Sequence, residues 1–369
     1  MKKKILISTS YLKMGGIERS LINLLKYLDY EKYEVDLFLI KKEGELLNDV
    51  SSKVNIYEIE KELKVKTIIL KILCRIPLLY KRIIKKTLKK EYDYSIGFSG
   101  YNNISDILAG LVNSKKKYIW VHSDYKDRLI IDPKFNKQFN RMKYKYKYFD
   151  NIISVSKGSM ESFKKLFPKY KKNIDYCYNL INEEDIKRKL KGESNIKLKG
   201  DIKIIAVGRL VKQKGLDRFV DIIEKLNKTL KDKKIMGYIV GDGIEKENLV
   251  SKVNEKKLNK NIIFLGQIDN PFPIIKQADI FLFPSYVEGF PLVLIEALLC
   301  NVPIVFPKIS SFKEIIDIIP KNSYILTNNN TEDLYKGVIE AVKTKNEKID
   351  FKIEDYNNIV KKQISKIVN

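Results

Sequence analysis

Short apolar runs return about every 25 residues in the second half of the chain, at residues 203–207, 235–240, 262–265, 280–283 and 302–306, with helical patterns between them. Strands alternating with helices in this way close as a parallel sheet covered on both faces. The first half carries the same rhythm at 5–8, 35–40, 94–98, 117–121 and 151–155, with a loop at 11–17 leading into an amphipathic helix over 18–27. The expected fold class is α/β, as two Rossmann-like doubly wound parallel-sheet domains facing across a cleft. A length of 369 residues suits two such domains.

The least patterned part is Tyr178 to Asn182 followed by the charged run 183–200, so the boundary is placed there, giving domains over 1–179 and 180–350. The last segment, 351–369, has helical spacing at Ile359, Ile364 and Ile367 and is expected to pack back towards the first domain. Near the start, Ile5, Leu6 and Ile7 form too short an apolar run for a secretion signal and read as a first strand. No stretch of about 20 uncharged apolar residues exists, which removes a spanning helix.

Cys74, Cys177 and Cys300 are odd in number and far apart, which argues against a disulfide framework and makes the cytoplasm the expected compartment. With His122 as the single histidine, zinc sites built on His and Cys are not expected. No metal is assigned.

Lys and Arg number 71 against 46 Asp and Glu, a net +25, which suits polyanionic neighbours. Most of the excess lies early, since residues 1–190 hold 41 basic and 23 acidic side chains. Two segments stand out. Lys61 to Lys90 interleaves cations with aliphatic residues and is expected to break into two short helices at Pro77, either lying on anionic lipid or turning its apolar side inward. Lys134 to Tyr148 alternates Lys or Arg with Phe135, Phe139, Tyr144, Tyr146 and Tyr148, with the same two readings open.

Ligands of open α/β sheets bind beyond the carboxyl ends of strands, and four strand-end segments carry suitable groups. In Glu288 to Glu296, EGFPLVLIE, Pro291 suits a first helical turn and Asn301 with Pro303 marks the end. An anion at that helix start gains from free N–H groups and the dipole, while carboxylates accept from sugar hydroxyls. In Val207 to Gly215, VGRLVKQKG, Arg209 is a planar fork and Lys214 a mobile point charge, together able to neutralise a pyrophosphate. Gly15 and Gly16 permit close backbone approach, but without a third glycine they do not make a dinucleotide fingerprint. His122, in WVHSD, ends an apolar strand.

With these motifs in order, the chain resembles the family 4 retaining glycosyltransferases of GT-B fold, also called glycosyltransferase group 1. EGFPLVLIE resembles the family's E-x7-E motif, VGRLVKQKG its phosphate loop, and VGDG at Val240 to Gly243 its next strand-end turn. GGIE at Gly15 to Glu18, His122 and SVSKG at Ser154 to Gly158 are similar in the first half. The resemblance implies an acceptor-binding domain over 1–179 and a nucleotide-sugar-binding domain over 180–350. It implies that Arg209 and Lys214 hold the donor pyrophosphate, Glu296 the ribose hydroxyls, and Glu288 with the Phe290 backbone the sugar hydroxyls. His122 contacts the donor sugar near the reacting carbon, and Gly16 borders phosphates and acceptor. Tyr178, Asn179 and Leu180 stand where the family has a Pro-Asn-Gly turn.

The implied activity is retaining, metal-independent transfer from a nucleotide sugar, a UDP-sugar by expectation, to a glycan or lipid-linked acceptor in cell-surface polysaccharide biosynthesis. The donor is a substrate, and no separate cofactor is expected. The expected location is cytoplasmic, with peripheral contact at the inner face of the membrane. Two other readings stay open. A non-hydrolysing nucleotide-sugar epimerase shares the two-domain shape, and a basic nucleic-acid-binding protein would use the aromatic cluster at 134–148. The latter leaves the strand-end motifs idle, and nucleic acid is not the expected partner. A serine hydrolase is disfavoured because GFSGY, Gly97 to Tyr101, lacks the last glycine of a GxSxG elbow.

Overall fold

The structure, a computed structural model, describes residues 1–170, 173–344 and 348–368. Two units divide it: one of Met1–Leu129, Pro133–Asn182 and the chain from Val360 onward, the other of Glu183–Ile359 with Ile130–Asp132.

The first unit is built on seven strands: β1 (Lys3–Thr9), β2 (Tyr33–Leu39), β3 (Val54–Glu58), β4 (Tyr92–Gly97), β5 (Ser114–Val121), β6 (Asn151–Ser154) and β7 (Asn173–Tyr176). Their order across the sheet is β3-β2-β1-β4-β5-β6-β7, all pairs parallel. The second unit has β8 (Ile202–Val207), β9 (Ile235–Val240), β10 (Ile262–Gly266), β11 (Ile280–Leu282), β12 (Ile304–Pro307) and β13 (Tyr324–Thr327). These run β10-β9-β8-β11-β12-β13, again all parallel. Each sheet therefore reverses its winding once, between β1 and β4 and between β8 and β11. At such a switch point the loops leaving the two central strands diverge and leave a crevice.

Burial follows from this layering. β8, β9 and β11 are covered on both faces, so Ile204, Ile205, Ile239 and Phe281 are inaccessible. The edge strand β7 alternates exposed and half-buried residues, the edge strand β3 is fully buried only at Val54, and neither has the continuous apolar run that marks a central strand. The helix Leu216–Thr229 puts Leu216, Phe219, Val220, Ile223 and Leu226 on one face against the second sheet. Gly237 in β9 admits that helix, because a β-carbon there would come within 2.8 Å of the Phe219 ring.

Residues 61–90 form three helices, Ile59–Leu63, Thr67–Leu73 and Pro77–Thr87, with Pro77 opening the third. A helix over Ile353–Val368 closes the chain. In the first unit its Ile364 and Ile367 meet Ile5, Ile7, Leu24, Leu28, Ile96 and Trp120 around one apolar cavity, and Tyr118 Oη donates to the Ile367 carbonyl at 3.0 Å. The inward residue of its middle turn is Val360, with Ile359 exposed. Among the described residues no helix is long and apolar enough to cross a membrane.

Candidate active site

In the second unit, three loops at the carboxyl ends of β8, β9 and β11 are laced together by backbone. Leu210 N–H donates to the Asp242 carbonyl at 2.9 Å and Glu245 N–H returns to the Leu210 carbonyl at 2.9 Å, tying the β8 loop to the β9 loop. Tyr286 N–H donates to the Gln213 carbonyl at 2.9 Å, tying the β8 loop to the β11 loop. Two glycines make this approach possible. Gly241 has φ +135°, and a β-carbon on it would lie 2.0 Å from the Gly208 carbonyl oxygen. Gly215, at φ +60°, would place one 2.1 Å from the Pro284 oxygen.

The lacing delivers Lys214 to Glu288. Their Nζ and Oε1 are 2.6 Å apart, with both side chains about four-fifths buried, and Ser285 Oγ donates to the same Oε1 at 3.1 Å. Glu288 Oε2 takes no hydrogen bond among the described residues. Lys214 Nζ also lies 5.8 Å from the centre of the Phe283 ring. Arg209, in the same loop, is exposed, and its guanidinium has no ion pair or hydrogen bond among the described residues. Lys212 in this loop is exposed as well, so among the described residues the loop presents two cations without a carboxylate, Arg209 and Lys212, and one compensated by Glu288.

Glu288 leads into the helix Leu292–Leu299, which begins one residue after Pro291. Pro291 occupies the N-cap and offers no side-chain cap. Glu288 is engaged by Lys214 and Ser285 and does not cap this helix either. Asn301, at φ +59°, ends it in the left-handed conformation. Glu296 lies half-buried on the second turn, while Phe290 is buried and stacks on Tyr356 with ring centres 6.1 Å apart.

A group that sequence reasoning missed holds the Glu288 loop in register. Tyr286 is gripped at every polar atom. Besides its N–H, its hydroxyl donates to Asp217 Oδ2 at 2.8 Å, its carbonyl accepts from Asn329 Nδ2 at 3.1 Å, and its ring centre lies 3.7 Å from the Arg218 guanidinium carbon. Arg218 in turn donates to Asn329 Oδ1 at 2.9 Å. Burial, then the Asp217 bond, pushes the Tyr286 hydroxyl up to about 12, and burial lowers the Arg218 guanidinium. The signal was present: Arg218 interrupts the apolar face that Leu216, Phe219 and Val220 form. A buried arginine needs a planar or anionic partner there.

In the first unit, Gly16 opens the helix Gly16–Tyr27, after an extended Gly15 with no side-chain cap. A β-carbon on Gly16 would meet nothing within 4 Å, so packing does not demand a glycine and the backbone stands open to a ligand. The same helix is tied to the segment after β7, where Ser20 Oγ donates to Asn179 Oδ1 at 2.6 Å and Asn23 Nδ2 to the Leu180 carbonyl at 2.8 Å.

His122 follows β5 and leans on the loop after β4. Its Nε2 lies 2.9 Å from the Phe98 carbonyl, which can only accept, so Nε2 carries the proton and Nδ1 the lone pair. Nδ1 is buried without a partner among the described residues. Desolvation pushes the imidazole down to about 3; the Phe98 bond opposes this and the Lys145 charge adds to it. His122 is thus neutral at physiological pH. Beneath it, Lys145 and Asp106 form a fully buried pair at 2.5 Å. Lys145 Nζ and Tyr125 Oη both donate to the Gly100 carbonyl, at 2.9 and 3.1 Å, and Asp106 Oδ1 accepts from Ser99 N–H at 3.2 Å.

Of the two readings of residues 134–148, the structure has the apolar side turned inward, with one lysine buried alongside it. Phe135, Phe139 and Tyr146 are core residues, Tyr144 and Tyr148 pack against the same core, and Lys145 is buried with them. The segment has no exposed stacking platform for bases. Among the described residues no group of three or more His, Cys, Asp or Glu side chains gathers as a metal-holding set.

The second unit is a doubly wound sheet whose switch-point loops present a free arginine, a lysine–glutamate pair and a helix start without a side-chain cap. That is the architecture of an α/β domain that takes an anionic ligand at its strand ends. Residues 187–360 match the family model of glycosyl transferases group 1, and this part of the chain is a domain of that family. The O-antigen biosynthesis glycosyltransferase WclY of Escherichia coli is 33% identical over 174 residues, 46% of each chain; the match thus spans about half the length of that relative. A Campylobacter jejuni relative, N-acetylgalactosamine-N,N'-diacetylbacillosaminyl-diphospho-undecaprenol 4-alpha-N-acetylgalactosaminyltransferase, is 27% identical over 293 residues, covering 79% of this chain and 77% of its own. The solved structure of Anabaena Alr3699/HepE in complex with UDP aligns at TM-score 0.67 and 15% identity, covering 99% of this chain and 100% of the other. That likeness is one of fold, the GT-B class.

Proposed function

We propose that the protein is a retaining glycosyltransferase that moves a sugar from a UDP-linked donor to a glycan or lipid-linked acceptor in cell-surface polysaccharide biosynthesis. The observation that carries this reading is the meeting of Lys214 with Glu288 at the β8/β11 switch point, beside the free Arg209. A nucleotide sugar needs cations for its diphosphate and acceptors for its hydroxyls, side by side. Names of relatives support the finer points: HepE is solved with UDP, and the Campylobacter enzyme is named for a diphospho-undecaprenol acceptor.

In this reading Arg209 and Lys214 meet the charge that builds on the departing diphosphate as the glycosidic bond breaks. Glu296 accepts from the ribose hydroxyls, and Glu288, with the Phe290 backbone, holds the sugar hydroxyls. Glu288 Oε1 is already occupied, so Oε2 is the atom offered to the sugar. The departing phosphate oxygen takes the acceptor's proton on the face where the new bond forms, and no side chain acts as nucleophile. The resemblance assigns the neutral imidazole of His122 and the open backbone of Gly16 to the same donor.

Glu288→Gln tests the assignment. It releases Lys214 from its counter-charge, so UDP binding by calorimetry is expected to tighten by about threefold to tenfold while transfer falls at least about 100-fold. Equal changes in both, or none, would overturn it. Product anomers read by NMR distinguish retention from inversion, and conversion of a UDP-sugar without acceptor would show an epimerase instead.

A further inference from the structure

The first unit carries a ridge of aliphatic side chains that the core does not use. In the helices Thr67–Leu73 and Pro77–Thr87, Leu70, Leu73, Tyr80 and Ile84 turn inward. Ile68, Ile69, Ile72, Leu78 and Leu79 on these helices and Ile76 in the turn between them point out, with Ile68 70% and Leu78 80% exposed. Ile68 and Ile72 are one helical turn apart on the same face of the first helix, and Ile76 stands at the N-cap of the second, so the exposed residues run across the corner between the two helices. Isolated exposed aliphatics are ordinary, but six within twelve residues are a patch that marks an interaction surface.

The surroundings of the ridge are uniformly positive. From Leu63 to Lys90 there is no Asp or Glu. Nine cations there are exposed and make no ion pair among the described residues, Lys71, Arg75, Lys81, Arg82, Lys85 and Lys86 among them. The flanking Lys61 and Lys90 are the ones tied to carboxylates.

We infer that this ridge is a docking surface for an anionic lipid bilayer, with the six aliphatic side chains entering the boundary of the acyl region and the cations resting on headgroup phosphates. Charge selects this occupant. A second copy of the chain would set nine like charges against nine and be repelled. A nucleic acid would satisfy the cations but leave the aliphatic ridge with nothing apolar to enter and no exposed ring to stack on, since Tyr80 is fully buried. A bilayer with anionic headgroups satisfies both halves at once, as amphipathic basic helices lying in the interface do. The inference uses none of the groups assigned to sugar transfer and stands whether or not that assignment does.

Flotation of the full chain with vesicles tests it. At 150 mM salt the protein is expected to bind vesicles of equal phosphatidylcholine and phosphatidylglycerol at least about tenfold more tightly than pure phosphatidylcholine, the preference shrinking at 500 mM as screening grows. Ile72→Glu with Leu78→Glu is expected to reduce binding to the anionic vesicles at least about tenfold, and Lys81→Ser with Arg82→Ser by a smaller factor. Circular dichroism and melting should stay unchanged, because all four positions are exposed. Equal binding to both vesicle types, or anionic binding untouched by the two glutamates, overturns the inference. So does self-association that the glutamates abolish in the absence of lipid binding.

Discussion

The two units share a winding but handle charge in opposite ways. In the second, the lysine–glutamate pair sits at the mouth of the switch point, partly open to water, on loops held by backbone hydrogen bonds. In the first, the Lys145–Asp106 pair is sealed in the core and acts through the turn that His122 leans on. An ion pair at a strand end can exchange its partner for an incoming anion at modest cost. A buried one cannot, because either charge left alone bears the full desolvation penalty. The Lys214–Glu288 pair is thus suited to chemistry and the Lys145–Asp106 pair to holding geometry.

Lys145→Ala should show this most strongly, lowering unfolding stability by about 3–5 kcal/mol, measured by urea or thermal melting. Lys145→Met with Asp106→Leu together should recover much of that loss, since the penalty comes from an unpaired charge. If the single variant costs less than about 1 kcal/mol, the contrast between the units fails. Lys214→Ala should do the reverse, reducing transfer about 10²–10³-fold while melting within a few degrees of the parent. Tyr286→Phe removes one bond of the clamp and should cost about 1 kcal/mol, with a fall in kcat larger than the change in KM, because the Glu288 loop loses register while Arg209 remains.

The smallest effect concerns pH. His122 titrates near 3 when folded and near 6.5 unfolded. Between those values the unfolded chain binds the extra proton, so stability rises with pH through this window and levels off above it. His122→Asn should flatten that part of the stability profile. An unchanged slope between pH 4 and 6 would mean that the imidazole is not held neutral.

Much of this was legible because central strands of a parallel sheet are apolar on both faces, and loops at their carboxyl ends carry exposed chemistry. Residues 203–207 and 235–240 announce β8 and β9, and Arg209, Lys214 and Glu288 stand out because no core position accounts for them. β3, β7 and β13 were not legible. They have few consecutive apolar residues, and pairing with a stronger neighbour makes them strands. The burial of Lys145 was not legible for a related reason. A lysine among alternating aromatics reads as solvated, and its burial depends on Asp106, 39 residues earlier, meeting it in the core. Tyr286 showed no motif, since its clamp is assembled from three separate segments.

Local sequence therefore determined the α/β class, the strand-end position of the cations and carboxylates, and the basic, aliphatic character of residues 61–90. Tertiary structure alone decided that Lys214 is paired with Glu288, that Arg209 has no carboxylate partner among the described residues, that Lys145 is internal, and that six aliphatic residues of 68–79 face outward. Periodicity and spacing are properties of neighbouring residues. Which charges neutralise one another, and which apolar faces find no partner, depends on segments far apart in the chain.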